Sequence, residues 1–434
     1  MRTILTLAAV AACVLTGAQD AGGSPSISRQ YSFSAYQSMG GNSKQQTRGD
    51  NSTFNVVCYF DMNQEPFTTP LPPAMNVSLC SHIIFMITTI ENAQMTPRNV
   101  SDAETYYSKI ATMKKLKPSL KVLLCNGGNF SQVLNTEENR TRFARSTVPW
   151  MRKYGFDGLD MDWEFPTFGH PPARRRNLTL VVKTIREMFD ADEAQNGGSH
   201  LLLTMAVSAG EGMISSCYEV AELAKYVDFV NVMTYDMHLY LEVFPFTGLN
   251  SPLYPGDDVL DKTIFKNRYF VWSPNEWVRQ GMKKSQVMTG IPTYAHSYTL
   301  LDEKSHGIYS LAKGVGRMGD FPGYDTTCEL AKNNSTTVVW DDKSKVPYLY
   351  QGDLWISYDN VRSVTLKAQY LLQQGFGGAM VFMLNADDYK GSCDGKTKWP
   401  LFKAINAAVS DYKTSKNVEV EYDVREYVEI DVNV

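Results

Sequence analysis

Short apolar runs separated by longer amphipathic segments fill the chain from Phe54 onward. A nearly continuous apolar run is typical of a strand that is buried on both faces of a parallel sheet. Eight such runs occur: Asn55–Phe60, His82–Met86, Lys121–Cys125, Phe156–Asp162, Leu201–Val207, Phe229–Thr234, Gln286–Ile291 and Gly377–Met383. Amphipathic segments of helical spacing lie between them, namely Glu104–Leu116, Glu138–Tyr154, Leu178–Asp190 and Cys217–Tyr226. This alternation predicts an α/β fold, the parallel (β/α)8 barrel.

The interval between the seventh and eighth runs is too long for a loop. Residues 295–354 contain strand-like pieces and turns of their own. We therefore expect a small α+β subdomain inserted before the last strand. The barrel itself is then formed by residues 54–294 and 355–411.

The N-terminal part of the chain has a different pattern. A basic start is followed by the apolar run Ile4–Leu15 and by the small residues Thr16 and Ala18, which predicts a secretory signal peptide over residues 1–18. Residues 19–53 are rich in Ser, Gln, Gly and Asn, and we expect a flexible low-complexity leader there. No later run is long and apolar enough to span a bilayer. The expectation is a secreted, extracellular protein that has no membrane partner.

Residues 412–434 combine negative charge with the periodicity of a strand. From Val418 onward apolar residues alternate with acidic ones, and residues 417–434 hold six acidic residues against one arginine. The pattern leaves two alternatives open. The segment either pairs as a strand with a sheet edge or an extracellular-matrix partner, or it is a disordered acidic tail.

Cysteine and charge content narrow the classes of function. Once Cys13 is removed with the signal peptide, six cysteines remain, an even number that is typical of an oxidising compartment. They form no Cys-x-x-Cys pair and the histidines show no ligand spacing, so we expect neither a metal nor a cofactor. The net charge of −4 gives no reason to expect a nucleic-acid partner. Sequons for N-glycosylation occur at Asn51, Asn76, Asn99, Asn129, Asn139, Asn177, Asn333 and Asn334.

The segment 157–164 carries the candidate chemistry. Asp160, Asp162 and Glu164 lie at positions i, i+2 and i+4, which places three carboxylates on one side of a strand. Close carboxylates raise one another's pKa, and a raised pKa is what a general acid requires. The triplet stands at the carboxyl end of its strand, where barrel enzymes have their active sites. A solvated acidic strand edge is the alternative, but apolar residues occupy the positions between the carboxylates.

Five segments together resemble glycoside hydrolase family 18, the chitinases and chitinase-like lectins, and the resemblance runs from about Val57 to Val409. The segments are Phe156–Pro166, Asn231–Asp236, Gly290–Tyr294, Trp355–Asp359 and Gly377–Met380. The first contains the family signature Asp-x-x-Asp-x-Asp-x-Glu in full. The resemblance implies that Glu164 is the general acid and that the acetamido oxygen of the substrate is the nucleophile.

Further roles follow from the same resemblance. Asp162 would stabilise the positive charge of an oxazolinium intermediate, and Asp160 would share its proton or set its pKa. Tyr235 would donate a hydrogen bond to the acetamido oxygen, and Met233 and Asp236 would line the same subsite. The resemblance also suggests two disulfides, Cys58–Cys80 and Cys328–Cys393. For Cys125 and Cys217 both a pair and free thiols stay open.

Several tryptophans that the family uses to stack on sugar rings are missing. Asn129 stands in the third strand, Phe382 in the eighth, and the segments Tyr59–Asn63 and His238–Leu241 also lack theirs. Each loss removes roughly 1–3 kcal/mol of apolar stacking. The remaining candidates for substrate binding at these strand ends are Tyr59, Tyr294 and Phe382.

The implied activity is hydrolysis, with retention, of chitin or chito-oligosaccharides, chains of β-1,4-linked N-acetylglucosamine, by a monomeric secreted enzyme. Because fewer aromatic residues are available to stack on sugar rings, short or soluble chains are the favoured substrates. One alternative is a chitinase-like lectin or extracellular-matrix protein with little turnover. Another is an endo-acting glycosidase on protein N-glycans, which would use the same catalytic residues.

Overall fold

The computed structural model describes residues 54–62, 76–98, 101, 105–128, 130, 133, 136–166 and 173–428. The signal peptide and leader predicted for residues 1–53 lie outside the described residues. So do Asn129, the sequons at Asn51 and Asn99, and the last six residues of the chain.

Eight parallel strands close into a ring in the order β1-β2-β4-β5-β6-β7-β8-β14, and β14 pairs again with β1. The first strands are β1 (Asn55–Asp61), β2 (His82–Glu91), β3 (Gln94–Pro97), β4 (Lys121–Gly127), β5 (Gly158–Asp162), β6 (Leu202–Ser208), β7 (Phe229–Met233) and β8 (Val287–Pro292). Those that follow are β9 (His296–Leu300), β10 (Ala312–Val315), β11 (Thr337–Asp341), β12 (Val346–Gln351), β13 (Leu354–Ser357) and β14 (Gly378–Phe382). Each of the eight predicted runs coincides with one barrel strand, which confirms the fold class. Strand β3 adds an antiparallel partner to β2.

Helices surround this ring. They are α1 (Ile110–Leu116), α2 (Glu137–Tyr154), α3 (Ala173–Asn196), α4 (Glu211–Cys217), α5 (Val220–Leu223), α6 (Val259–Lys262), α7 (Trp272–Arg279), α8 (Tyr324–Ala331), α9 (Val361–Gln374) and α10 (Pro400–Val428). Of the amphipathic segment expected at residues 217–226, only Val220–Leu223 forms a helix of its own, α5, and Cys217 is the last residue of α4. Tyr218 separates the two helices because its backbone is extended and its buried ring packs on Trp277, with centroids 5.0 Å apart.

The strands carry side chains on two sides, and each side has its own core. Leu159, Met161 and Trp163 lie in the outer core between strands and helices. The inner core fills the barrel and includes Tyr59 and Cys125. The period of two seen in the sequence therefore separates packing residues from the residues of the barrel interior.

An antiparallel sheet follows β8, in the order β10-β9-β13-β12-β11, and α8 accompanies it. This is the expected inserted subdomain. Its sheet extends to Ser357, past the predicted limit at residue 354, because Trp355 is fully buried between Tyr298 and Tyr348 with ring centroids 5.4 and 5.1 Å away. The chain returns to the barrel through α9.

The last helix differs from the strand that the alternation of residues 418–428 predicts. Helix α10 continues through Val428. Neither Gly nor Pro follows Pro400, so nothing in the chain interrupts a helix that begins with buried apolar residues. The early apolar positions at helical spacing are Leu401, Phe402, Ile405 and Val409.

Both disulfides suggested by the resemblance are present, Cys58–Cys80 and Cys328–Cys393. Cys125 and Cys217 are buried and form no disulfide with each other, so the alternative that they pair is wrong. Among the helices that the structure describes, none has the length and apolar character required to cross a membrane.

Candidate active site

The three acidic side chains at the end of strand β5 are increasingly exposed to solvent along the chain. Asp160 is fully buried, Asp162 is half-buried, and Glu164 is exposed two residues beyond the end of the strand. The three positions therefore run from the barrel interior to its mouth. The residue that the family resemblance names as the acid is the most exposed of the three.

Four side chains from neighbouring strands surround the Asp160 carboxyl. Tyr59 donates its hydroxyl proton to Oδ2 at 2.7 Å, and Thr204 donates to Oδ1 at 2.5 Å. The Asn231 amide donates to the same Oδ1 at 3.2 Å and to the Tyr59 oxygen at 3.1 Å. Burial raises the pKa of Asp160, while the hydrogen bonds from Thr204 and Tyr59 act in the opposite direction. These hydrogen bonds therefore limit the rise in the pKa of Asp160 and fix the orientation of its carboxyl group.

Cys125 is the fourth of these side chains. It is paired with Asp160 in the register of β4 and β5, and its thiol hydrogen-bonds to that carboxyl. Burial, and then the charge of Asp160, raises the pKa of the Cys125 thiol well above its usual value. The thiol therefore keeps its proton and acts as a donor inside the barrel.

Phe382 forms the centre of an aromatic floor. It stands at the end of β14, and the ring centroids of Tyr59, Tyr235 and Tyr294 lie 5.7, 5.6 and 5.9 Å from its own. Met233, at the end of β7, packs against the same cluster. The structure thus brings together the predicted substrate-binding residues from four different strand ends.

Tyr235 lies where the negative charges of the site converge. Burial raises its pKa well above the usual value, and the charges of Asp236, Glu164 and Asp162 add to the effect. The phenol is therefore protonated over any ordinary pH range and serves as a hydrogen-bond donor. Its oxygen is 3.8 Å from the Met380 sulfur. A neutral donor beside several carboxylates suits an incoming acetamido oxygen.

Asp236 is held by two partners on a strained backbone. Its φ of 56° lies in the left-handed region, which is uncommon for a residue other than glycine. Tyr294 donates to Oδ1 at 2.5 Å, and the His296 Nε2 is 2.6 Å from the same oxygen. The His296 Nδ1 faces the Asp320 carbonyl at 3.0 Å. An oxygen acceptor therefore lies beside each nitrogen of the His296 ring.

Sequence reasoning missed five residues of this site. Thr204 and Cys125 depend on strand register, which a single sequence does not give. Asn231 lies within a motif that was recognised but received no role. His296 lies just beyond the segment Gly290–Tyr294 that carries the resemblance, and Phe321 is brought to the site by the inserted subdomain. Asp157, which does not belong to the triplet, has a structural role, since it forms an ion pair with Lys114 at 2.7 Å.

One group with metal-ligand spacing occurs in the described part of the chain, Cys328, Asp388 and Cys393. The two sulfurs are joined in a disulfide, so they offer no thiolate ligand.

Comparisons with known proteins agree with this geometry. The sequence profile of the glycosyl hydrolases family 18 matches residues 55–387. Chitotriosidase-1 of Mus musculus is 33% identical over 371 residues, which cover 82% of this chain and 78% of the relative. The structure of an immunomodulatory active chitinase from Trichuris suis superposes with a TM-score of 0.77 at 32% identity, covering 82% of this chain and all of the other. Human YKL-39, described as a pseudo-chitinase with retained chitooligosaccharide binding, superposes with a TM-score of 0.76 at 31% identity, with coverage of 82% and 100%.

Proposed function

The chain belongs to glycosyl hydrolase family 18, and on that basis we propose that it is a secreted chitinase-type glycosidase that cleaves chains of β-1,4-linked N-acetylglucosamine. The observation that carries the proposal is the complete acidic triplet, with exposed Glu164 at the barrel mouth and Tyr235 and Phe382 beside it. A protein that only binds glycans has no need of a proton donor at this point.

In the first step the exposed carboxyl of Glu164 protonates the glycosidic oxygen. The substrate's acetamido oxygen attacks C1, and the bond from C1 to the leaving sugar breaks as the new carbon–oxygen bond forms. Tyr235, protonated and buried, donates a hydrogen bond that orients the acetamido oxygen. Phe382 supports the apolar face of the same sugar ring.

The resulting oxazolinium carries a positive charge, which the carboxylate of Asp162 stabilises. Asp160, whose pKa is raised by burial, is the neighbour with which Asp162 shares a proton. In the second step water attacks C1, the bond from C1 to the acetamido oxygen breaks, and the carboxylate of Glu164 takes a proton from the attacking water. Two displacements at the same carbon keep the β configuration.

The test is an incubation of the purified protein with chitotetraose, wild type against Glu164→Gln. We expect the substitution to lower the cleavage rate by at least roughly 100-fold, because the amide has no acidic proton to give. The control is Glu187→Gln on α3, an exposed glutamate, which should cleave at the wild-type rate. Proton NMR of the first products should show the β anomer.

The second candidate is a chitinase-like lectin. It is favoured by the phenylalanine at position 382 and by the likeness to YKL-39. In the same assay, a wild type that binds chitotetraose but cleaves no faster than Glu164→Gln would support the lectin and overturn the hydrolase.

Substrate form is a separate part of the proposal. The floor around Phe382 is built from one phenylalanine and three tyrosines, which offer less apolar area than tryptophans. We expect faster turnover of soluble oligosaccharides than of crystalline chitin. Equal rates on chitotetraose and on crystalline chitin would contradict this.

Secretion is supported by two disulfides, which persist in oxidising compartments. Expression of the full chain in a eukaryotic cell line should deliver it to the medium. Retention of the full-length protein in the cytosol would contradict the proposal.

A further inference from the structure

Phe321 is an exposed aromatic residue at the edge of the candidate site. Among the large hydrophobic side chains that are exposed in the described part of the chain, it is the only phenylalanine or tryptophan, with 47% of its surface open. Its ring centroid lies 5.4 Å from that of Tyr294 and 5.2 Å from that of His296. Both neighbours are buried, and both contact Asp236. The ring thus covers the outside of the subsite that Asp236 lines.

The backbone around Phe321 is fixed to the end of the barrel. The Ala295 amide donates to the Pro322 carbonyl at 2.8 Å, and the Tyr324 amide donates to the Thr293 carbonyl at 3.1 Å. Together with the contact of His296 to the Asp320 carbonyl, these bonds clamp the segment on both sides of Phe321. The ring is therefore held in place, although it belongs to the inserted subdomain.

Aromatic rings form a continuous path from the floor to this rim. Tyr294 lies 5.9 Å from Phe382 on one side and 5.4 Å from Phe321 on the other, measured between ring centroids. Both contacts are edge-on or nearly so, at 79° and 61°, and the Phe321 side chain stays half open. The open face of the Phe321 ring is in contact with water, which has a free-energy cost. A sugar ring stacked on this face would remove it from water and so remove that cost.

We propose that Phe321 is a substrate-binding residue that stacks on the sugar unit next to the one lying on Phe382, and that it thereby sets the preference for chain length. The ligand class is a β-1,4-linked N-acetylglucosamine oligosaccharide, so this inference rests on the proposed substrate class. It does not rest on turnover. The inserted subdomain then adds an exposed aromatic surface to the floor formed at the ends of the barrel strands.

The experiment measures binding in a background that does not cleave. Calorimetric titrations of the Glu164→Gln protein with N-acetylglucosamine and with its oligosaccharides of two to six units give the affinity for each length. Adding Phe321→Ala should weaken the binding of the oligosaccharides by roughly five- to tenfold and leave that of the single sugar within about twofold. Phe321→Trp should strengthen the binding of the oligosaccharides.

Two further variants separate stacking from packing. Phe321→Leu keeps an apolar side chain against Tyr294 and His296 but has no flat face, so its affinity should fall almost as far as that of the alanine variant. Leu311→Ala is the matched control, because Leu311 is equally exposed, at 47%, in the same subdomain. It should bind all lengths as the parent protein does.

The outcomes distinguish this inference from the proposed activity. If Phe321→Ala binds every length like its parent, or if Phe321→Leu keeps full affinity, the stacking role is overturned while the hydrolase proposal stands. If the length-dependent loss is found but the protein with Glu164 intact does not cleave, the inference stands and the activity fails. If no oligosaccharide binds the parent, both are overturned.

Discussion

Asp160 has no contact with solvent, so the side chains around it determine its charge. Tyr59 is the donor whose hydroxyl can be removed with the least disturbance, because phenylalanine keeps the ring that packs 5.7 Å from Phe382. The hydrogen bond from Tyr59 favours the ionised form of the Asp160 carboxyl and so lowers its pKa. Tyr59→Phe should therefore raise the pKa of Asp160.

The measurement is the pH profile of kcat for chitotetraose. We expect Tyr59→Phe to move the limb of the profile that the Asp160–Asp162 pair governs to higher pH and to leave KM within about twofold. Tyr298→Phe removes a buried hydroxyl whose bond is to the His238 carbonyl, away from the triplet, and should leave the profile in place. A Tyr59→Phe profile identical to the wild type would show that this donor does not tune Asp160.

We predict that the Cys125 thiol does not react with alkylating reagents in the folded protein. Its thiol is fully buried, and burial together with Asp160 raises its pKa well above the usual value, so almost no thiolate is present. Mass spectrometry after iodoacetamide treatment at pH 8 should find Cys125 unmodified in the native protein and modified after unfolding in guanidinium. Labelling of the native protein at this position would contradict the buried donor role.

The alternation of Asp160, Asp162 and Glu164 sufficed to predict three carboxylates on one side of a strand, because side-chain direction within a strand is a local property. Thr204, Asn231 and the other donors to Asp160 could not be predicted in the same way. They reach it through the pairing of β4, β5, β6 and β7, and that register is a property of the closed barrel.

At the scale of elements, the end of the inserted subdomain is tied to α9 by a buried ion pair. Lys367 Nζ is 2.7 Å from the Asp359 carboxylate and 2.8 Å from the Ser251 hydroxyl, and neither charged side chain is exposed. Removing one partner of a buried pair leaves an uncompensated charge. Lys367→Met should therefore lower the free energy of unfolding by about 3–5 kcal/mol.

Urea denaturation followed by circular dichroism measures this change. The matched control is Lys183→Met, which removes a partly exposed ion pair to Glu187 on α3 and should cost less than about 1 kcal/mol. Replacing both Lys367 and Asp359 with apolar residues should recover part of the loss. Equal effects of the two single substitutions would contradict a structural role for the buried pair.

The barrel strands could be predicted because their buried sequences are nearly continuous apolar runs, and each run marks its own element. The inserted sheet was expected only as a region, since its strands are short and partly exposed. For helix α10, the periodicity of apolar residues alone predicts the wrong element. Residues 418–428 alternate like a strand, but they continue a helix that is already docked by Leu401, Phe402 and Ile405.

At the scale of the whole molecule, stability should depend on pH through Asp387. This carboxyl joins the end of β14 to the start of α10, since its Oδ2 accepts from the Leu401 and Phe402 amides at 3.1 and 3.2 Å. Burial raises its pKa to about 7 from the usual 3.8, although these backbone bonds act in the opposite direction. Between those two pH values the folded protein retains a proton that the unfolded chain has released. The contribution of Asp387 is therefore fully present below about pH 4 and is lost as the pH rises through 7.

Asp387→Asn removes this titration and keeps an oxygen that accepts the amides of α10. We expect the unfolding free energy of the wild type, relative to that of the variant, to fall between pH 4 and pH 7.5 by about 1.4 kcal/mol for each unit of the pKa shift. Urea unfolding across this range measures the difference. Asp394→Asn is the control, because Asp394 is exposed and its pKa is lowered to about 2 by Thr397 and Lys396. Its difference from the wild type should stay constant above pH 4. A constant difference for Asp387→Asn would show that the Asp387 carboxyl is already ionised across this range in the folded protein.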